Sequence, residues 1–310
     1  MRIVESLEGF AWPAISVVTR TKGRLAFLRR CIESVQQQSF RDFVHVIYSD
    51  GEPLDPIREL LSQLAVRGAI PVDATFLLRG GSQSLGIAAA GNAAMEYVQS
   101  KYSIFLDDDD TWQPTLLYEL HESASRSREP EVVGAVCRSS VVKERLEPNS
   151  VIKKIQEYVF NPELSYVLIS DMVHGNMFPP NSFLFRVELW RELGGFRVGL
   201  GALEDWDFNI RYLMKGELEV VPKPLANWHI RVNAPGSQTM TSGTPGLGVH
   251  GRFRVMLRNQ YLRDAAAGKM DPQIAMLMQI AQVSSSTRDF MYGQVGLRPL
   301  WRKIRSVFGV

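Results

Sequence analysis

Short apolar runs alternate along the first third of the chain with segments whose apolar residues recur every three or four positions. Residues 14–19 (AISVVT) are rich in β-branched side chains and predict a buried strand. The apolar positions of residues 25–35 then fall on one face of a helix. The alternation continues through five further segments, predicted in turn as strand, helix, strand, helix and strand: 43–48, 53–65, 74–78, 87–99 and 103–106.

This alternation with short connections predicts an α/β fold with a mostly parallel central sheet flanked by helices. In such sheets, ligands bind beyond the carboxyl ends of the strands. Three polar segments lie at the ends of predicted strands: 19–24, 49–52 and 107–110. We therefore expect a ligand site where these three segments meet.

The second half of the chain has a less regular pattern. Residues 132–142 predict a further strand, and residues 143–180 mix charge, Pro and Gly and are expected to be rich in loops. The next elements are predicted as a short strand, two helices and two extended pieces: 182–185, 187–193, 205–214, 220–221 and 228–232. Residues 233–250 predict a linker or mobile loop, and residues 251–310 are expected to be helical.

Composition and charge exclude several classes of protein. The 310 residues include 35 Lys and Arg against 33 Asp and Glu, which gives a net charge of +2. A chain this close to neutral lacks the basic coat of a nucleic-acid-binding protein, so we expect no nucleic-acid partner. No apolar run approaches the ~20 residues that span a bilayer, and Glu5 and Glu8 precede any apolar run that could form a signal peptide. We expect a cytoplasmic protein, at most attached to a membrane surface.

Four consecutive acids, Asp107 to Asp110, are the strongest chemical signal. Like charges in a row repel one another unless something positive lies nearby, and carboxylates are preferred ligands of Mg²⁺ and Mn²⁺. Alternate side chains at a strand end share one side, so Asp107 and Asp109 can bind one metal ion that also binds a diphosphate. The competing interpretation is that the acids cap the next helix at its positive end.

Other polar residues each allow two interpretations. Asp205, at the start of a predicted helix, can act as a base toward a hydroxyl or cap the helix. Asp50 can bind a sugar or a base, or make an Asx turn. His229 can be a metal ligand or a core histidine. Asn92 can have a polar task within an Ala-rich helix or face solvent.

The order of these segments resembles the family 2 glycosyltransferases of GT-A fold. Asn92 aligns with the Asn of that family's Ala-Arg-Asn element. Five motifs match in order the family's opening strand, its Gln-rich turn with the second strand, its Asp-x-Asp metal motif, its acceptor-side motif and its terminal His element: 16–24 (SVVTRTKGR), 31–50 (CIESVQQQSFRDFVHVIYSD), 105–114 (FLDDDDTWQP), 194–211 (GGFRVGLGALEDWDFNIR) and 228–231 (WHIR).

The resemblance implies roles for particular residues. Asp205, with Glu204 beside it, would be the catalytic base that takes a proton from an acceptor hydroxyl. A Mg²⁺ or Mn²⁺ ion would be held by Asp107, Asp109 and His229. The residues that would bind the donor are Thr19, Thr21, Arg24, Asp50, Asn92, Asp107 and Asp108.

Four positions depart from the family pattern. Ser49 stands where the family often has a first acid, Arg20 replaces a Pro, Gly23 replaces an Asn, and Gly91 replaces an Arg. All four lie on the donor side, so the resemblance does not indicate which nucleotide is bound.

The resemblance also implies an activity. It is inverting transfer of a sugar from a nucleotide diphosphate sugar, with a UDP-sugar expected, to a carbohydrate or lipid-linked acceptor in polysaccharide or glycolipid assembly. Two alternatives stay open: a sugar nucleotidyltransferase of related fold, and a non-catalytic nucleotide-sugar binding module.

The implied organisation is a GT-A domain over 1–235, followed by a linker and a helical C-terminal appendage over 236–310. The domain would consist of a nucleotide-binding half, about 13–110, and an acceptor half, about 111–235. Residues 297–310 contain no acid and combine an apolar helical face with basic residues. Such a helix can lie on an anionic membrane or dock on its own domain.

Overall fold

The computed structural model describes residues 1–146, 152–232 and 247–281. In this part of the chain the strands are β1 (Arg2–Ile3), β2 (Ile15–Thr21), β3 (Phe43–Asp50), β4 (Thr75–Gly81), β5 (Tyr102–Phe105), β6 (Thr111–Trp112), β7 (Val132–Leu146), β8 (Ile152–Val159), β9 (Phe183–Arg186) and β10 (Glu217–Arg231). The helices are α1 (Leu25–Gln36), α2 (Asp55–Val66), α3 (Ile87–Met95), α4 (Leu116–Arg126), α5 (Ile169–His174), α6 (Val187–Glu192), α7 (Glu204–Leu213) and α8 (Leu247–Ala266). Residues 272–281 are also helical.

The strands form one sheet in the order β1-β4-β3-β2-β5-β9-β7-β10-β6, and β8 pairs with β7. The strands β1 to β5 lie parallel in it, which confirms the fold predicted from the first half. Every residue of β2, β3 and β5 is buried. Helices that cover both faces of a parallel sheet produce this pattern, and it explains the unbroken apolar runs in the sequence.

The second half of the sheet differs from its prediction at two places. Residues 152–159 form the strand β8 although 143–180 was expected to be loop-rich. Most of its side chains are exposed, so no apolar alternation marks it in the sequence. The two extended pieces at 220–221 and 228–232 belong to the single strand β10, whose pairing with β7 shifts register around Pro224. A proline cannot donate to a ladder, so it interrupts the strand pattern without ending the strand.

The helix α8 packs on the same core as the sheet. Leu257 and Tyr261 of α8 are fully buried in the cluster that contains Trp206 and Phe208 of α7. No helix in the described ranges is long and apolar enough to cross a bilayer. The predicted linker at 233–250 is wrong for residues 247–250, which form the first turn of α8. Its remaining residues, and the whole basic segment 297–310, lie outside the described residues.

Candidate active site

The three segments predicted to bind a ligand lie at the same edge of the sheet. β2 pairs in parallel with both β3 and β5, so the chain leaves all three strands on the same side. Thr21 ends β2, Asp50 ends β3, and the acidic tetrad begins shortly after Phe105 ends β5. The parallel register therefore places the tetrad beside the residues that follow β2.

The first two acids are bound by arginines of the β2 end. Arg20 donates from Nε (3.0 Å) and Nη2 (2.6 Å) to Asp107 Oδ1. Asp108 is fully buried and accepts the Thr21 hydroxyl at 2.7 Å and Arg24 Nε at 3.2 Å on Oδ2, while a second nitrogen of Arg24 bonds Oδ1. Burial raises the pKa of Asp108 to about 7, because the loss of hydration outweighs the attraction of Arg24.

Asp109 is bound by arginines from two further elements. Its Oδ2 accepts Arg24 Nη1 at 3.2 Å and Arg231 Nη2 at 2.7 Å. The guanidinium carbon of Arg231 lies 4.5 Å from the ring centroid of Phe27, which helps to hold this buried cation. Arg30 donates to the main-chain oxygen of Asp109 at 2.8 Å. Positive charge does lie beside the tetrad, as its repulsion requires, and arginines supply it.

Asp110 is buried and bonded to groups of the protein interior. It accepts Asn181 Nδ2 at 2.7 Å and the main-chain amide of His229 at 2.9 Å. Burial raises the pKa of Asp110 well above its ordinary value. The next helix, α4, begins at the N-cap residue Thr115 without a side-chain cap bond, so the capping interpretation of the tetrad is wrong.

The tetrad contains two carboxylates that fit a metal ion. The hydrogen bonds from the described residues to Asp107 and Asp109 go to a single oxygen of each carboxylate. Their second oxygens are of the hard type that Mg²⁺ and Mn²⁺ prefer. As the described side chains are placed, however, no group of three or more His, Cys, Asp and Glu residues forms a metal site. The two aspartates therefore fit the chemistry of the metal, but the described side chains do not bring Asp107, Asp109 and His229 together as one metal site.

His229 lies beside the tetrad with both ring nitrogens engaged. Nδ1 lies 2.7 Å from Glu144 Oε1, and Nε2 lies 2.8 Å from Thr111 Oγ1. Burial lowers the pKa of His229, so the ring is neutral near pH 7 and has one N–H. Because Glu144 is the acceptor at Nδ1, Nε2 accepts the Thr111 hydroxyl. His229 could bind a metal through Nε2 only after it releases Thr111.

The acceptor-side acids lie in the first turn of α7. Leu203, the N-cap residue of this helix, has the left-handed φ of +67° and makes no side-chain cap bond. Asp205 is not the N-cap residue, but its carboxylate also accepts the main-chain amides of Trp206 and of Asp205 itself, the kind of bond that the cap interpretation expects. Asp205 Oδ2 accepts Asn176 Nδ2 at 2.8 Å. Burial, followed by repulsion from Glu204, raises the pKa of Asp205 to about 7.

Three of the predicted donor residues act within the protein. Thr19 is fully buried, and its hydroxyl lies 2.9 Å from His45 Nε2. Asp50 accepts the main-chain amides of Leu85 (2.6 Å) and Gly86 (3.2 Å) and so holds the entry to α3. Asn92 bonds the amide and the carbonyl of Phe196, as described below.

The sequence reasoning missed several residues of the site. No local sequence pattern marks three of these residues, which all lie outside the five motifs: Arg30, Glu144 and Asn176. Arg231 is the last residue of the WHIR segment, in which the resemblance assigns a role only to the histidine. Arg20 was noted only as a departure from the family.

The match to a known family covers more than half of the chain. The model described as glycosyl transferase family 2 matches residues 16–193. A protein of Nostoc sp. named uncharacterized glycosyltransferase alr2836 is 28% identical over 261 residues, which are 81% of this chain and 74% of that protein. It is a distant relative that shares most of the chain.

Two solved structures show a similar fold. Staphylococcus aureus TarS 1-349 in complex with UDP-GlcNAc has a TM-score of 0.56 at 16% identity and covers 93% of this chain and 78% of that one. The mannosyltransferase PcManGT from Pyrobaculum calidifontis, in complex with GDP-Man and Mn²⁺, has a TM-score of 0.50 at 15% identity and covers 89% and 76%. The fold is thus the GT-A fold. With the family model matching residues 16–193, this chain belongs to glycosyl transferase family 2.

Proposed function

We propose that the protein transfers a sugar from a nucleotide diphosphate sugar, a UDP-sugar in the first instance, to an acceptor hydroxyl with inversion at the anomeric carbon. Family membership supports glycosyl transfer. The UDP-GlcNAc and GDP-Man complexes of two proteins with this fold support a nucleotide sugar as the donor. The acceptor is proposed to be a carbohydrate or a lipid-linked compound.

The placement of Asp205 carries the proposal. A general base works best when its pKa is near the working pH, and the raised pKa of Asp205, about 7, meets this condition. Its side chain is half-buried and held by the neutral donor Asn176. The carboxylate can therefore accept a proton without first breaking a salt bridge.

In the proposed step, Asp205 accepts the proton of the acceptor hydroxyl as that oxygen attacks the anomeric carbon. The bond between this carbon and the diphosphate oxygen breaks, and the diphosphate leaves with the bonding electrons. Glu204, buried beside Asp205, repels its negative charge and keeps it a competent base.

On the donor side, Thr21, Arg24 and Asp107 are proposed to contact the nucleotide sugar, and the fully buried Asp108 is proposed to hold Thr21 and Arg24 in place for it. The Arg24 side chain is 22% exposed, and its guanidinium can turn from Asp108 and Asp109 toward a diphosphate. Thr19, Asp50 and Asn92 are proposed to support these contacts through their bonds within the protein.

Asp107 and Asp109, joined by His229 once it releases Thr111, would hold Mg²⁺ or Mn²⁺. When bound, the metal supplies Lewis-acid stabilisation of the negative charge that develops on the leaving diphosphate.

The proposed division of the chain remains a GT-A domain over 1–235 with a C-terminal appendage over 236–310. The basic sequence of 297–310 supports a peripheral contact with a membrane, in line with polysaccharide or glycolipid assembly.

A product assay tests this function. The protein is incubated with UDP- and GDP-sugars and Mn²⁺, Mg²⁺ or EDTA, and the melting temperature and released products are measured. We expect one donor class to raise the melting temperature and to release nucleoside diphosphate slowly through transfer to water, with Asp205→Asn as the inactive control. Release of pyrophosphate from a sugar phosphate and a nucleoside triphosphate would instead identify a nucleotidyltransferase. A raised melting temperature with no product in any condition would identify a binding module.

A further inference from the structure

Arg20 is a departure from the family pattern that has no role in the proposed mechanism. Two of its guanidinium nitrogens donate to Asp107 Oδ1, and the third donates to the carbonyl oxygen of Ile87 at 2.9 Å. Its guanidinium carbon lies 5.3 Å from the ring centroid of Phe105 and 5.6 Å from that of Phe196. Arg20 is 6% exposed. These contacts fix the guanidinium in one position.

The position depends on a glycine in the facing helix. A Cβ added at Gly91 would lie 3.3 Å from Arg20 Nη1 and 3.1 Å from the Phe196 ring. Phe196 cannot move away easily, because Asn92 accepts its amide at 2.9 Å and donates to its carbonyl at 2.8 Å. Gly91, Asn92 and Phe196 therefore form a rigid slot for the guanidinium.

The same guanidinium also interacts electrostatically with acids of the acceptor side. Burial alone would lower the pKa of Arg20, but the negative charges of Asp107, Glu204 and Asp205 raise it above its ordinary value. One positive group thus attracts both the donor-side acid Asp107 and the two acceptor-side acids.

We propose that Arg20 is a positioning residue for glycosyl transfer, which fixes the Asp107 carboxylate and neutralises the charge between Asp107 and the Glu204–Asp205 pair. The effect of Arg20 on glycosyl transfer rests on the proposed function. Without Arg20, the charges of Asp107, Glu204 and Asp205 lose this compensating cation and repel an incoming diphosphate. Lysine cannot replace it fully, because the paired bonds to Asp107 and the stacking on two rings need a planar guanidinium.

Three variants and a matched control test the proposal. Arg20→Met removes the charge and keeps an unbranched side chain, Arg20→Lys keeps the charge without the fork, and Gly91→Ala keeps Arg20 but crowds its Nη1. The control, Arg79→Met, removes an arginine that also stacks on a ring (Tyr97, 5.2 Å) but donates to main-chain carbonyls away from the site.

The first measurement is the affinity of each folded variant for UDP and GDP with Mn²⁺, by calorimetry. We expect Arg20→Met to weaken binding at least about thirtyfold, Arg20→Lys and Gly91→Ala to weaken it severalfold, and Arg79→Met to leave it unchanged. Wild-type affinity in Arg20→Met would overturn the proposal. If neither nucleotide binds the wild-type protein, the proposed donor class fails, and a second measurement without ligand decides the role of Arg20.

The second measurement follows melting temperature against pH for each protein and for its Asp205→Asn version. The charged groups acting on Asp205 are Glu204 on its own helix and Arg20 on β2. Asp205 binds its proton more tightly when folded, so the wild type loses stability relative to Asp205→Asn as the pH rises from about 4 to about 7. Arg20→Met removes an attraction that lowers the pKa of Asp205, so it should move the upper end of this change upward.

The control Arg79→Met should leave this change in place. An unmoved upper end in Arg20→Met would overturn the proposal, whatever the nucleotide result. If Arg20→Met does not fold, Gly91→Ala is measured in the same two ways, since it displaces the guanidinium without removing it. Unchanged nucleotide affinity and an unchanged pH dependence in folded Gly91→Ala would then overturn the proposal.

Discussion

The acids at the sheet edge and the acids at the start of α7 are compensated differently. The carboxylates of 107–109 are bonded by the guanidinium groups of Arg20, Arg24 and Arg231. Asp205 has a hydrogen bond from the neutral Asn176 and the repelling charge of Glu204 beside it, which acts on its pKa more strongly than the attraction of Arg20. Guanidinium pairing suits acids that bind, because it fixes their position. A carboxylate that must accept a proton works better with less compensation.

Asp108 sharpens this comparison because burial also raises its pKa to about 7. Both of its oxygens are occupied, however, by Arg24 and Thr21. A raised pKa alone therefore does not identify the base. The carboxylate must also be accessible to a hydroxyl, and of these two acids Asp205 is the one that is half-buried rather than enclosed.

The largest expected effect follows removal of the base. Asp205→Asn should lower kcat about a thousandfold, within the range that general-base catalysis contributes, while donor affinity stays near the wild-type value. Steady-state assays with the donor found in the product assay provide the measurement. Asp171→Asn, on the exposed side of α5, is the matched control and should keep wild-type kcat. Normal turnover in Asp205→Asn would remove Asp205 from the mechanism.

A smaller effect, on stability, distinguishes buried from surface pairs. Asp109→Asn removes a buried carboxylate that pairs with Arg24 and Arg231, while Arg24 keeps its pair with Asp108, and it should lower the free energy of unfolding by about 3 kcal/mol. Asp73→Asn, which breaks the exposed pair with Arg41, should cost less than about 1 kcal/mol. Urea denaturation measures both. Equal losses in the two variants would contradict the view that the tetrad is held by buried ion pairs.

The pH dependence of catalysis tests the base without a mutation. Asp205 must be ionised to accept a proton, and its pKa is raised to about 7. Below that pH, kcat/KM should fall about tenfold per pH unit as the carboxylate becomes protonated. Initial rates in buffers of constant ionic strength, with metal in excess, give the profile. An activity that stays level down to about pH 5 would show that a group with an ordinary carboxyl pKa is the base.

The smallest effect concerns the neutral donor to Asp205. Asn176→Ala removes the 2.8 Å hydrogen bond to its Oδ2. A bond that favours the charged form lowers a pKa, so its loss should move the acid limb of the profile upward and reduce activity at neutral pH severalfold. Asn161→Ala, which removes bonds to Ser139 and Met177 instead, is the comparison variant and should leave the limb in place.

The sequence predicted most of the first half of the fold because burial on both faces leaves unbroken apolar runs. Such runs predict the strands β2, β3 and β5. Because these strands pair in parallel, their carboxyl ends lie at one edge of the sheet, where the site was predicted. β8 was missed because an exposed strand pairing only with β7 leaves no such pattern. β10 was divided in two because Pro222 and Pro224 interrupt its pattern, although its pairing with β7 continues.

The candidate site was predictable where its chemistry lies within one segment. The tetrad and the Glu204–Asp205 pair are visible as consecutive acids. Their partners were not, because Arg30, Arg231 and Asn176 come from distant elements that only the fold brings together. Four adjacent carboxylates repel one another and therefore need a positive partner nearby. The sequence alone does not show whether arginines or a metal ion supply that charge.

The central claim, that the tetrad binds the donor and Asp205 performs the chemistry, is tested most directly by one paired measurement. Donor affinity in the presence of Mn²⁺ and single-turnover rate are measured for Asp109→Asn and Asp205→Asn beside the wild type. We expect Asp109→Asn to lose metal-dependent affinity and Asp205→Asn to keep affinity while losing the transfer step. Loss of affinity and rate in the same proportion in both variants would contradict the claim.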